Sequence, residues 1–118
     1  MADIWPSALR VQDHGTKLMV TFESGETHIL SAEYLRVESP SAEVKGHGPG
    51  QEQLVSEKRH VTIKKVDRVG SYAVKLTFSD GHDTGLFTWT YLATLGREHD
   101  TIWTSYEEKL EIAGRSRG

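Results

Sequence analysis

A chain of 118 residues without a single cysteine has room for one hydrophobic core and no disulfide to staple it, and at this length folding buries roughly two thirds of the surface the unfolded chain exposes. Thiolate catalysis, redox switching and zinc sites built on sulfur are excluded by the same count. Fourteen Lys and Arg against seventeen Asp and Glu leave a net charge of −3, which argues against nucleic acid as a partner, and no stretch approaches the ~20 apolar residues of a membrane span.

The opening Met1-Ala2-Asp3-Ile4-Trp5-Pro6 lacks the basic start and apolar run of a signal peptide, so a soluble, cytoplasmic protein is expected. Leu9, Val11, Leu18, Val20 and Phe22 then alternate with polar residues in the period of a strand and are expected to face one way. Asp13-His14-Gly15-Thr16 supplies a hairpin turn between them. Glu23-Ser24-Gly25-Glu26 supplies a second turn before a strand over Thr27 to Leu30. Ser31 is a good N-cap for a short helix opening Ala32-Glu33-Tyr34-Leu35. From Val37 to Lys58 the chain holds Pro40, Pro49, Gly46, Gly48 and Gly50 with few apolar anchors, which predicts a long irregular loop.

Alternation returns over His60 to Val69 and again over Ala73 to Phe78, with Val69-Gly70-Ser71-Tyr72 as the turn. Ser79-Asp80-Gly81-His82 is the next turn and Asp83 to Phe87 the next strand. Thr88 caps a helix running from Trp89 to Leu95 and stopped by Gly96. Asp100 is the expected cap of a final helix, Thr101 to Ala113, with Ile102, Trp103, Tyr106, Leu110 and Ala113 at helical spacing and Gly114 ending it. The small, polar tail around Arg115 and Arg117 reads as a frayed terminus.

The two halves repeat. Val20-Thr21-Phe22-Glu23-Ser24-Gly25-Glu26-Thr27 matches Leu76-Thr77-Phe78-Ser79-Asp80-Gly81-His82-Asp83 at an offset of 56. Leu30 continues onto Leu86 and, after a slip of one, Tyr34-Leu35 onto Tyr91-Leu92. The expected fold is therefore α+β: two pseudo-repeated antiparallel β-meander plus short helix units packed into a single domain over 1–118, with a core at about 6–96 and a C-terminal helix at about 100–113.

Leu35-Arg36-Val37-Glu38-Ser39-Pro40-Ser41-Ala42-Glu43 with Gly46-His47-Gly48, then Gly70-Ser71-Tyr72-Ala73-Val74, Phe78-Ser79-Asp80-Gly81-His82-Asp83-Thr84-Gly85 and Trp89-Thr90-Tyr91-Leu92, resemble the gamma-butyrobetaine hydroxylase-like N-terminal domain family, a domain of unknown function. In the hydroxylases such a domain precedes an oxygenase domain that carries the iron and 2-oxoglutarate chemistry, and no counterpart of that domain stands in this sequence, so the resemblance does not imply hydroxylase activity. The small domain of those relatives looks like a zinc module, with three Cys after a Leu-Arg motif and a His in a later Asp-x-His segment. Here Ser39 and Ser41 stand at positions resembling the Cys cluster, and His82 matches the His. Neutral hydroxyls are poor zinc ligands. A related domain attached to P-loop ATPases that carry iron-sulfur clusters implies, by analogy, an adaptor role in cluster handling.

Asp80, His82 and Asp83 form the densest set of potential ligands. His82, with Asp80 or His47 as co-ligand, could hold a divalent metal such as zinc or iron, or the Asp-Gly pair could simply form the turn with His82 bonded locally. An iron facial triad is disfavoured because His82 and Asp83 are adjacent and point to opposite faces of an extended chain. The remaining histidines are too scattered for a cupin site, and no Lys-Ser or Lys-Thr follows Gly46-His47-Gly48-Pro49-Gly50 as a phosphate loop would require. Enzyme chemistry is therefore not expected. Ser39, Ser41, Glu43 and His47 on the loop, with Asp80, His82 and Asp83 on the turn, read instead as the exposed face of a binding or adaptor module for a protein partner. Trp89 and Tyr91 read as core, and Trp103 as an anchor for a second copy of the chain in a homodimer.

Overall fold

The computed structural model describes residues 5–40 and 54–118. Strands β1 (Pro6–Gln12), β2 (Lys17–Phe22) and β3 (Thr27–Ser31) form one antiparallel sheet in the order β1-β2-β3. Helix α1 (Ala32–Val37) follows directly. Strands β4 (Ile63–Val69), β5 (Ala73–Phe78) and β6 (Leu86–Thr88) form a second antiparallel sheet in the order β4-β5-β6, followed by α2 (Trp89–Arg97) and α3 (His99–Ala113). The α+β class and the duplicated strand-strand-strand-helix unit are as the sequence predicts. No helix among the described residues is long and apolar enough to cross a membrane.

In the first sheet the central strand carries the core: Leu18, Val20 and Phe22 are buried, and Leu30 joins them from β3. Leu9 is partly buried against the same cluster. Val11 pairs with Leu18 as expected but remains 43% exposed, because β1 is an edge strand and inward register alone does not cover a side chain near its end. The β1–β2 turn runs through Asp13, His14 and Gly15, all with left-handed φ (51°, 57° and 89°). A Cβ at Gly15 would lie 2.7 Å from the carbonyl oxygen of Ile63, so glycine there lets the first hairpin sit against the start of β4.

The second unit repeats this plan with instructive departures. Strand β4 begins at Ile63 and not at His60, with a register shift between Ile63 and Lys65. Strand β6 is three residues long and excludes Asp83 to Gly85, where a strand is expected from the sequence. The repeated turns superimpose closely in their hydrogen bonds: Phe22 N–H donates to the Glu26 carbonyl and Gly25 N–H to Phe22, as Phe78 N–H donates to His82 and Gly81 N–H to Phe78. The one-residue slip then falls before β6, so the counterpart of buried Leu30 is buried Phe87, while Leu86 is 39% exposed. Correcting the pairing from Leu86 to Phe87 restores the inward face.

Ser31 and Thr88 cap their helices as expected, each accepting the N–H of the tyrosine three residues on, Tyr34 and Tyr91. The two tyrosines then bond across the pseudo-symmetry. Tyr34 Oη donates to the Leu95 carbonyl at the end of α2 (2.7 Å), and Tyr91 Oη donates to the Glu38 carbonyl at the end of α1 (2.5 Å). Each phenol thus satisfies a carbonyl that the other helix leaves open, and burial pushes both phenol pKa values up. Helix α2 does not stop at Gly96 but runs on to Arg97. The glycine is there for close packing, since a Cβ would meet the His28 ring at 2.3 Å.

Helix α3 starts at His99, and Asp100 is an acidic first-turn residue bonded to the His99 ring, not the cap. Tyr106 and Leu110 bury themselves with Val37 in a satellite cluster beside the main core. Trp103 is partly buried: it packs edge-on to Tyr34 at 6.0 Å and tilted to Tyr106 at 5.2 Å, with the Arg117 guanidinium 5.1 Å above its ring. The tail is not frayed. Arg117 donates two hydrogen bonds of 2.8 Å to the Glu33 carboxylate, and Glu57 and Arg59 N–H groups donate to the Ser116 and Arg117 carbonyls at 2.9 Å. Polar composition suggested fraying. The ion pair with a residue 84 positions away, invisible to local pattern, overrides it.

Candidate functional site

The end of α1 and the β5–β6 turn meet at one corner of the molecule. Ser39, fully buried, follows the α1 C-cap Glu38, and its N–H bonds the Arg36 carbonyl. His82, 7% exposed, closes the Gly81 turn. Ser39 Oγ and His82 Nε2 are 2.9 Å apart. Gly85 lies against them; a Cβ there would come within 2.1 Å of Ser39 Oγ, which explains why glycine occupies that point.

Asp80 organises the outer half of the corner. Its Oδ2 accepts from Arg36 Nε at 2.8 Å and Lys58 Nζ at 2.6 Å, and its Oδ1 accepts the His82 N–H at 3.1 Å. Burial alone would raise the Asp80 pKa, but the Lys58 bond, the His82 amide and Arg36 together outweigh it and hold the carboxyl at about 2. Asp80 is therefore an anion across the working pH range. Arg36 keeps its Nη1 buried without a partner among the described residues.

Of the residues singled out in the sequence, the structure brings together Ser39, Asp80 and His82. Asp83 is exposed on the opposite side of the chain from buried His82, as their adjacency demands. Ser41, Glu43 and His47, with most of the expected 37–58 loop, lie outside the described residues. Arg36 and Lys58 were not assigned a role from the sequence. A signal did exist: α1 and α2 each carry an arginine near the C-terminus, Arg36 and Arg97, and each Gly turn carries an acid, Asp80 beside Gly81 and Glu26 beside Gly25. The counterpart corner confirms that logic. Arg97 grips Glu26 through two bonds of 2.8 Å, His28 Nε2 also contacts Glu26, and hydrogen bonds from Arg97 and His28 lower the Glu26 pKa to about 2.

The geometry limits the chemistry. Ser39 and His82 have the identities of a nucleophile and its base, but the hydroxyl is buried against Gly85, and Asp80 holds the His82 backbone N–H in place of the ring. The donors that a divalent metal would use are bonded internally. His82 Nε2 is engaged by Ser39, both Asp80 oxygens carry bonds, and no three His, Asp or Glu side chains converge among the described residues. What the corner does is clamp: two buried polar groups satisfy each other where α1 crosses the turn.

The sequence pattern of the family described as gamma-butyrobetaine hydroxylase-like, N-terminal, matches residues 9–93. Two solution NMR structures are similar to the chain at 42% identity, with TM-scores of 0.84 and 0.83; each match covers 98% of this chain and 91% or 86% of the other. A 1.93 Å crystal structure of a protein with unknown function of the DUF971 family, from Acidithiobacillus ferrooxidans ATCC 23270, is 42% identical at a TM-score of 0.65, covering 77% of this chain and 91% of that one. A search of the curated proteins gave no match.

Proposed function

The chain belongs to the gamma-butyrobetaine hydroxylase-like, N-terminal family, and from that premise we propose that it is a non-catalytic binding and adaptor module. One observation carries this reading: Ser39, His82 and Asp80 are each spent on internal bonds that hold α1 to the β5–β6 turn, so none presents a free reactive atom to a substrate. A corner whose Ser39, Asp80 and His82 are bonded internally, with a polar rim, suits recognition of a protein surface. Exposed Asp83 and partly exposed Lys58 form part of that rim.

A role in metal or iron-sulfur handling fits this reading if the partner owns the metal and this chain supplies shape and charge. A second copy of the chain is one candidate partner, with the partly buried Trp103 of α3 as its expected anchor. Elemental analysis of natively purified protein beside His82→Ala, with thermal melts before and after added zinc or iron, tests the proposal. The expected result is metal far below one per chain in both samples and a lower melting temperature in the variant that neither metal restores. Stoichiometric metal in the native protein, lost in the variant, would overturn it.

A further inference from the structure

Arg68, exposed near the end of β4, stands in register with the inward face of its sheet. It pairs across the ladder with Val74, which is 2% exposed, and Val66, two residues earlier on the same face, packs against the core. A strand at such a position ordinarily continues its apolar face. Here it brings a guanidinium to the mouth between the two sheets, where a cleft of about 250 Å³ opens, lined in part by Pro6, Leu9, Val66, Arg68, Val74 and Trp89.

The guanidinium lies 5.9 Å above the Trp89 ring centroid. It makes no hydrogen bond or ion pair with any described residue, and no acidic side chain among the described residues lines the cleft. Trp89 Nε1 is already committed to the Ser71 carbonyl at 2.8 Å, so the indole offers the cleft its apolar surface and no donor. Among the described residues the cleft is thus a largely apolar slot with a single charge, positive, whose fork of N–H donors matches a carboxylate.

We propose that this cleft binds a small free carboxylic acid with a flat apolar body, such as an arylacetate, its carboxylate on Arg68 and its ring among Leu9, Val66 and Trp89. The volume lies below the ~300–1,000 Å³ of sites for drug-sized ligands, which favours one ring with a short acid over a peptide segment. None of the residues of the Ser39–His82 corner takes part, so the site stands or fails independently of the adaptor reading.

Phenylacetate titrated into the ¹⁵N-labelled full chain tests it. The Trp89 indole N–H and the Leu9 and Val74 amides should shift saturably in the millimolar range or below, and neutral phenylacetamide should bind at least about tenfold more weakly, the loss expected for one charge-assisted contact. Arg68→Gln should lower phenylacetate affinity by a similar factor and leave phenylacetamide unchanged, while Arg68→Lys, which keeps the charge without the fork, should fall between. The absence of saturable shifts, or equal binding of acid and amide by the native chain, overturns the proposal whether or not the glutamine variant folds.

Discussion

Replacing Arg117 with alanine should cost this protein far more than a residue so close to the end of the chain ordinarily would. Its partner Glu33 has a side chain only 6% exposed, and both carboxylate oxygens accept from the guanidinium at 2.8 Å. Removing one member of a buried pair strands the other, at about 3–5 kcal/mol. Arg117 is itself 31% exposed, so water can partly re-solvate the corner and the lower end applies. Loss of the guanidinium from the Trp103 face adds about 0.5–1 kcal/mol. We expect a total of about 3.5–4 kcal/mol, which for a chain of this size lowers Tm by roughly 15 °C.

Urea and thermal unfolding of Arg117→Ala, Glu33→Gln and the double variant would measure it as a cycle. The double variant should be more stable than Arg117→Ala, because a neutral amide is cheaper to bury than an unpaired carboxylate. Arg115→Ala, which removes a single exposed bond to the Leu54 carbonyl, should shift stability by less than about 1 kcal/mol. A Tm for Arg117→Ala within about 2 °C of the native value, or strict additivity in the cycle, would refute the assignment of the tail as a structural clasp.

Gly85→Ala should destabilise by about 1–3 kcal/mol through its contact with Ser39 Oγ, and Ser39→Ala should recover part of that loss in the same background; additive urea midpoints would show that the contact is not the cause. Acid should weaken the fold through Asp80 and Glu26, whose carboxyls fall from 3.8 and 4.5 to about 2. A depressed folded-state pKa stabilises fully above the unfolded value and is lost as pH drops through the folded one, so this contribution disappears between about pH 4.5 and 2. Asp80→Asn should therefore be less stable than the native chain at pH 6, with the gap closing toward pH 2; a gap that stays constant in urea midpoints across that range would contradict the reasoning.

Several features were legible in the residues alone because they are local. The period-two runs of Leu18, Val20, Phe22 and of Val74, Leu76, Phe78, the caps Ser31 and Thr88, and the Gly turns each rest on contacts within a few positions, where side-chain alternation and backbone preference act directly. The duplication was legible for the same reason, being one local pattern written twice. Its slip was placed wrongly because Leu86 and Phe87 are equally apolar, and only the tertiary packing decides which of them turns inward.

Everything that joins the two units needed the tertiary structure. The reciprocal Tyr34 and Tyr91 bonds, Asp80 between Arg36 and Lys58, Ser39 on His82, and Arg117 on Glu33 link groups 22 to 84 positions apart. Composition treats such residues as surface polarity or as loose ligands. Once two sheets and their helices bury a shared core, open helix ends and buried carboxylates find partners far away in the chain, and geometry selects those partners with no sequence-local signal. The sequence thus determined the two halves and their family. The fold decided that its most reactive-looking residues, Ser39, Asp80 and His82, hold those halves together.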